Sequence, residues 1–225
     1  MKNQFHIIRF NEIDSTNSEA ARRLAGFDNM SVLSAKRQYA GRGKDTNVWL
    51  TEPGENLTFT IVLKFGDESL GECPQFPAKC QMLVSALTAA SVVAFLKEKG
   101  VDAWVKWPND VYVDKSKICG ILIELRTVDK WLKASIIGIG ININQKTFPS
   151  SLPNPVSLSL LTGKNYDVEQ CLEDFLAIYK TKLESVFAGL PELEDVVDRA
   201  LAFEDGTSSN ENLRASFMQF VDIFK

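Results

Sequence analysis

The chain has a single histidine, His6, among its 225 residues, and that scarcity removes whole reaction classes. A Ser-His-Asp triad would have to use His6 itself, which sits inside a strand-like run, and a metal centre with several histidine ligands is impossible. Cys73, Cys80, Cys119 and Cys171 show neither a C-x-x-C pair nor zinc-ligand spacing, so they read as reduced, buried thiols. No apolar run approaches the roughly 20 residues that span a bilayer. Met1-Lys2-Asn3-Gln4-Phe5-His6 has no apolar export core, so a cytoplasmic protein with no membrane partner is expected. Blocks of one charge sign are also missing: the net charge of −4 comes from mixed residues, which argues against duplex nucleic acid as a partner.

A hydrophobic share of 45% over this length suffices for one main globular domain with a small appendage. Residues 5–10 read as a strand, and Thr16-Asn17-Ser18-Glu19 fits a capping box opening a helix that should stop at Gly26. A second strand is expected over 31–35, an exposed loop over 38–48, a β-rich run over 57–65 and a long apolar helix over 77–99 closed by Gly100. Four strand-like runs follow at 103–106, 111–113, 118–125 and 131–143. Residues 144–165, with three prolines, separate them from an amphipathic helix carrying Val168, Cys171, Leu172, Phe175, Leu176, Tyr179, Leu183 and Val186. After Pro191 a shorter helix is expected, then a breaker at 205–210 and a terminal helical segment with Leu213, Phe217, Phe220 and Phe224. Four consecutive strands break βαβ alternation, so the fold class is α+β: a mixed, largely antiparallel central sheet flanked by helices.

Three clusters can carry chemistry, each with a plainer reading beside it. Gly41-Arg42-Gly43-Lys44 offers backbone N–H groups and two cations to an anion, although a glycine-rich basic turn is as readily a solvated loop and lacks P-loop spacing. Lys106-Trp107-Pro108-Asn109-Asp110, with Lys117 beyond the next turn, serves equally as an ordinary proline turn or as a site where Asp110 holds a metal on phosphates. Gly138-Ile139-Gly140 lacks the third glycine of a dinucleotide fingerprint, and close backbone packing is its default explanation, while Asn142 can address a base edge. Ser15-Thr16-Asn17 alone reads as helix-capping material.

Taken in order, Asp14-Ser15-Thr16-Asn17, residues 38–44 with Trp49, Lys106 to Asp110, Lys117-Ile118-Cys119-Gly120-Ile121-Leu122 and Gly138 to Asn142 resemble the catalytic domain of biotin protein ligases, densely over 5–165. That resemblance implies a class II aminoacyl-tRNA synthetase-like fold, with a catalytic domain over 1–187 and a helical segment over 188–225 where the family usually adds an SH3-like barrel. It implies ATP and biotin as substrates, Mg2+, and a biotin carboxyl carrier protein or domain as partner, and a form without the family's N-terminal DNA-binding domain. By the same resemblance Ser15, Thr16, Gln38, Gly41, Arg42, Lys117 and Gly120 enclose biotin, with Lys117 and Arg42 catalytic. Lys44, Trp49, Asn109 and Asn142 are expected at the nucleotide and Asp110 at the metal. Lys44 stands where arginine is common, and Asp45, Thr46 and Asn47 depart from the family's loop. Lipoate or octanoate ligation, or a non-catalytic biotin or nucleotide-binding module, are the alternatives. Oligomeric state is left open: the strand over 131–141 could pair edge to edge across a two-fold axis in a homodimer, and an ordinary buried strand reads the same.

Overall fold

The computed structural model describes residues 4–66, 74–202, 215, 218 and 220–224. Its elements are β1 (His6–Ile13), α1 (Thr16–Arg22), β2 (Ser31–Gln38), β3 (Leu57–Lys64), β4 (Phe76–Pro77), α2 (Gln81–Glu98), β5 (Trp104–Lys106), β6 (Asp110–Val113), β7 (Ser116–Val128), β8 (Trp131–Ile141), α3 (Leu158–Thr162), α4 (Val168–Ala188) and α5 (Leu190–Ala202). One sheet runs β1-β2-β3-β8-β7-β6-β5, with β4 pairing β8 off this path. Only β1 and β2 are parallel, joined by α1, and the other pairs are antiparallel, as the run of consecutive strands predicts.

The period of two along the central strands divides the sheet into two unlike faces. Phe59, Ile139 and Ile121 form one rung and point into the main core with Leu57, Ile141, Ile137 and Cys119. That face is covered by α2 and α4. Helix α2 is apolar all round, with twelve buried residues from Leu83 to Leu96, and so fits only between other layers. Helix α4 buries one stripe, Cys171, Leu172, Phe175, Leu176, Tyr179, Leu183 and Val186, and Asp167 caps it by accepting from Glu169 N and Gln170 N at 2.9 and 3.2 Å. Where the layers meet, Phe175 lies 5.3 Å from Phe59 and 6.2 Å from Phe95 between ring centroids, both edge to face. Lys99, just past α2, binds Asp174 on α4 at 2.6 Å and holds that carboxyl below its ordinary range. Leu190, Leu193 and Val197 of α5, with Phe220, Val221 and Phe224, join the same core.

Several expectations change in the structure. Ser15, not Thr16, is the N-cap of α1, its hydroxyl accepting from Ser18 N at 3.4 Å, and Glu19 turns instead to Arg22 and Arg23. Two adjacent hydroxyl residues are equally good caps, and the Thr16 hydroxyl is taken by Gln38 and Thr60, which leaves Ser15 to cap the helix. Helix α1 ends at Arg22, a 3-10 turn carrying the chain to Gly26. Gln38 belongs to β2, not to the loop. The segment before α4 contains α3, a five-residue helix capped by Ser157, too short to show a period. Ala78–Glu98 is long and apolar enough to cross a membrane by length and composition, contrary to expectation, and most of it is buried inside the fold. The edge-to-edge dimer along 131–141 is excluded: β8 is hydrogen-bonded on one side by β3 and β4 and on the other by β7. Cys80, Cys119 and Cys171 are buried, Cys119 and Cys171 as free thiols among the described residues, and burial pushes the Cys171 thiol up to about 11. Cys73, Leu213, Phe217 and the breaker at 205–210 lie outside the described residues.

Phe175 is the side chain on which both helices and the sheet converge. Phe175→Ala should lower the unfolding free energy by about 3–5 kcal/mol in equilibrium urea denaturation, because the surrounding rings cannot collapse into the space. A loss under about 1 kcal/mol would show that the layers are held elsewhere.

Candidate functional site

The opposite face of the sheet carries the cleft. Two neighbouring rungs, Thr60–Gly138–Leu122 and Thr58–Gly140–Gly120, point to this side, and three of their six residues are glycine. Nothing fills the glycine positions except groups from other elements. A Cβ on Gly138 would stand 2.2 Å from Asn17 Oδ1, and one on Gly140 would stand 2.3 Å from the Trp49 ring. Glycine is therefore required twice, so that the first turn of α1 and the indole can lie on the strands. The close backbone packing read from Gly138-Ile139-Gly140 is what the structure shows. The cleft encloses about 460 Å³ of empty space, part of it open to solvent.

One wall is built from hydroxyls and amides at the start of α1 and on β2 and β3. Gln38 Oε1 accepts from Thr16 N at 2.7 Å and from the Thr16 hydroxyl at 3.0 Å. The Thr60 hydroxyl lies 2.8 Å from Thr16 Oγ1 and 2.6 Å from Asn17 Oδ1. The Thr16 hydrogen is already spent on Gln38, and Thr60 has one hydrogen for two acceptors. The junction of Thr16, Thr60 and Asn17 is thus short of one hydrogen, while the Gln38 amide nitrogen keeps its own hydrogens beside it. It is also buried: Thr60 is 0% exposed, Thr16 2% and Asn17 4%. Asp14 anchors it from behind, donating nothing and accepting from Ser15 N at 2.7 Å and from both Arg22 terminal nitrogens at 2.5 and 3.0 Å. The Arg22 guanidinium holds the Asp14 carboxyl down to about 2.

Cations line the rest of the cleft, Lys117 on the far side and Arg42 next to Asn17. Lys117 pairs with Asp110 at 2.7 Å and lies 5.9 Å from the Trp49 ring centroid. Arg42 addresses both Glu124 oxygens at 3.2 Å. Among the described residues Lys44 has no carboxylate within ion-pair distance. The loop that brings Arg42 and Lys44 is folded back on itself: Trp49 N donates to Gly41 O at 3.0 Å, and Gly43 N to Asn47 O at 2.8 Å, with Asp45 at φ 59 making the turn. Asp45, Thr46 and Asn47, which depart from the family's pattern, form this tip.

Ser15, Thr16, Gln38, Arg42, Lys44, Trp49, Asn109, Asp110, Lys117 and Gly120 all line the cleft. Gly41 stands beside it, with room for no Cβ against Trp49 O at 2.4 Å. Asn142 is not brought to the lining; its amide donates to Val156 O at 3.0 Å and ties the end of β8 to the segment before α3. Asn17, Thr60 and Glu124 were not singled out by sequence reasoning as site residues. Thr60 and Glu124 sit in regular strands, where threonine reads as a strand former and glutamate as a solvent-facing charge. Only the strand register reveals them, Thr60 opposite Gly138 and Glu124 one rung beyond Leu122, both just behind the lining of the cleft.

A resident metal centre does not fit these residues. Among the described residues no three His, Cys, Asp or Glu side chains cluster as ligands, and Asp110, the carboxylate in the lining, is engaged by Lys117. A divalent ion bound by protein alone needs more oxygen ligands than one paired carboxylate supplies.

Comparison with known proteins gives the same placement. The model of the biotin/lipoate A/B protein ligase family matches residues 8–142, more than half of the chain. The bifunctional ligase/repressor BirA of Bacillus subtilis is 28% identical over 183 residues, covering 79% of this chain and 53% of that protein. The biotin–[acetyl-CoA-carboxylase] ligase of Paracoccus denitrificans is 31% identical over 166 residues, covering 71% of this chain and 65% of that protein. The chain thus spans only about half to two thirds of the length of these relatives. Among solved structures, the biotin protein ligase from Aquifex aeolicus in complex with biotin and ATP aligns with a TM-score of 0.64 at 27% identity, over 81% of this chain and 71% of that one. By sheet, cleft and sequence alike, the chain belongs to the biotin/lipoate A/B protein ligase family.

Proposed function

We propose that this protein is an ATP-dependent biotin protein ligase, forming biotinyl-5'-AMP and passing the biotinyl group to a lysine of a biotin carboxyl carrier protein or domain. The observation that carries the reading is the hydrogen shortage where Thr16, Thr60 and Asn17 meet, set across the cleft from Lys117. Thr60 stands on β3 and Asp110 on β6 with β8 and β7 between them, so wall and Lys117–Asp110 pair lie roughly 14 Å apart at about 4.8 Å per strand. Biotin is a cyclic urea with two N–H donors at one end, an apolar bicycle and a carboxylate at the other end of its chain. Its donors match the unfilled acceptors, and its carboxylate matches the cations. A dithiolane ring has no N–H to offer, which places lipoate or octanoate second.

In the first half-reaction a carboxylate oxygen of biotin attacks the α-phosphorus of ATP, the bond to the β-phosphate oxygen breaks, and pyrophosphate leaves. Both partners are anionic, so the step needs positive charge held in place beforehand. Arg42, Lys44 and Lys117 supply it. Magnesium, on this reading, enters with the nucleotide as part of the substrate, and Asp110 serves chiefly to hold Lys117. In the second half-reaction the neutral amine of the carrier lysine attacks the biotinyl carbonyl, AMP leaves with the bonding pair, and the amine gives up its proton. No protein nucleophile is involved, which suits a chain with one histidine.

The deciding experiment is ATP–pyrophosphate exchange with magnesium and biotin, lipoate or no added acid, because it reports adenylation without the carrier. Exchange with biotin alone is expected; lipoate dependence would move the protein to the sister activity, and no exchange from folded protein would leave a binding module. Thr16→Val removes one acceptor from the wall and should raise KM for biotin about tenfold, the equivalent of ~1.4 kcal/mol, while KM for ATP stays put. An unchanged biotin KM would remove the wall from recognition. Lys117→Ala should lower kcat of exchange by about 10²-fold, the usual loss for one electrostatic contact to a developing charge. A folded Lys117→Ala protein forming adenylate at the normal rate would sink that role.

A further inference from the structure

We propose that Glu124 is a positioning residue for adenylation, one that fixes the guanidinium of Arg42 over the cleft before ligands arrive. The inference rests on the proposed ligase reading for its kinetic consequence, though not for the geometry. Glu124 lies two residues beyond Leu122 on β7 and shares its face of the sheet. Its rung partner on β8 is Ile136, which opposes Val62 on β3, and both are completely buried. A carboxylate beside two apolar side chains is out of place unless something satisfies it. Two groups do. Arg42 meets both oxygens in a fork at 3.2 Å, and Asn17 Nδ2 donates to Oε2 at 3.3 Å and to Leu122 O at 3.2 Å.

Glu124 therefore joins three elements that otherwise touch the ligand space separately: strand β7, the loop carrying Arg42, and the first turn of α1 carrying Asn17. Stability is a poor reason for this arrangement. The Arg42 side chain is 43% exposed, and ion pairs so accessible to water contribute little to folding. What the fork does supply is orientation. Arginine on a loop has many rotamers, and a bidentate carboxylate selects one of them, with the plane of the guanidinium defined. Catalysis of attack at an anionic phosphate gains from a charge already in place and loses when that charge must be reoriented during the reaction. Asn17 carries the restraint into the acceptor wall, since the same amide whose nitrogen holds Glu124 has its oxygen on Thr60.

Two measurements test this on the full chain. In the absence of ligands, trypsin should cut after Arg42 several-fold faster in Glu124→Ala than in the unmodified protein, with cleavage after Lys36 unchanged. Equal rates after Arg42 would overturn the anchoring. In biotin-dependent exchange, Glu124→Ala should lower kcat by about tenfold to a hundredfold with little change in KM for biotin. Arg42→Lys keeps the charge but not the fork, so adding Glu124→Ala to it should cost nothing further, whereas effects that multiply would show that Glu124 acts independently of Arg42 and overturn the proposal. Glu124→Gln, which keeps the shape and one acceptor oxygen, replaces the alanine variant if that protein does not fold. A protein with no biotin-dependent exchange at all would refute the ligase reading, and the tryptic rates would still decide whether Glu124 anchors Arg42.

Discussion

The missing side chains at Gly138 and Gly140 are the constraint on which the site depends. A strand alternating in and out would normally put side chains on both faces, and β8 does so toward the core with Ile137, Ile139 and Ile141. Toward the cleft it presents backbone. The space this leaves admits the Asn17 amide at one rung and the Trp49 indole at the next, neither of which could share its place with a Cβ. Glycine weakens a strand through entropy and lost packing, and here it lies in the most protected strand of the sheet, paired on both sides. The dense face behind it, with Phe59, Phe95 and Phe175 edge to face, offsets that weakness.

Charge in the cleft follows a second rule: two of its three cations are held by a carboxylate from a neighbouring strand. Lys117 has Asp110, Arg42 has Glu124, and Lys44 alone among the described residues is left to the loop. Pairing of this kind lowers the net positive charge of the empty cleft, yet it keeps each cation in a defined position. An anionic ligand then meets directed donors with their geometry already set. The third rule concerns hydrogens. A wall with more acceptors than hydrogens discriminates by what a ligand donates, and a buried acceptor left unfilled penalises any ligand without an N–H.

Legibility in the sequence tracked how local the cause was. The motif glycines, Arg42, Trp49, Asp110 and Lys117 were readable through the order of several short segments that together resemble biotin protein ligases, since each segment alone reads as well as a plain turn or packed strand. The four strands over 103–143 and the stripe of α4 were readable from periodicity. The N-cap was misplaced by one residue because Ser15 and Thr16 are equivalent by propensity, and only the bonds of the Thr16 hydroxyl to Gln38 on β2 and Thr60 on β3 separate them. Strand β4, two residues long, and α3, five long, are below the length at which any period can be counted. The strand over 131–141 read equally as an edge for a second copy or as an ordinary buried strand because a sequence does not show which strands take its edges; β3 and β7 occupy them.

Thr60 and Glu124 show most clearly what a single sequence withholds. Their types are ordinary for their strands, and no spacing joins them to the glycine motifs. Register does. With Thr60 opposite Gly138, and Glu124 one rung past Leu122, the antiparallel ladder places a hydroxyl and a carboxylate on either side of the amide of Asn17, which the absent Cβ of Gly138 lets through. A slip of one residue between β3 and β8 would turn Thr60 into the aromatic core, and one between β7 and β8 would do the same to Glu124. The bonding of the Asn17 amide to Thr60 and the placement of Arg42 are therefore two consequences of the sheet's register, set by the hydrophobic alternation on its far side.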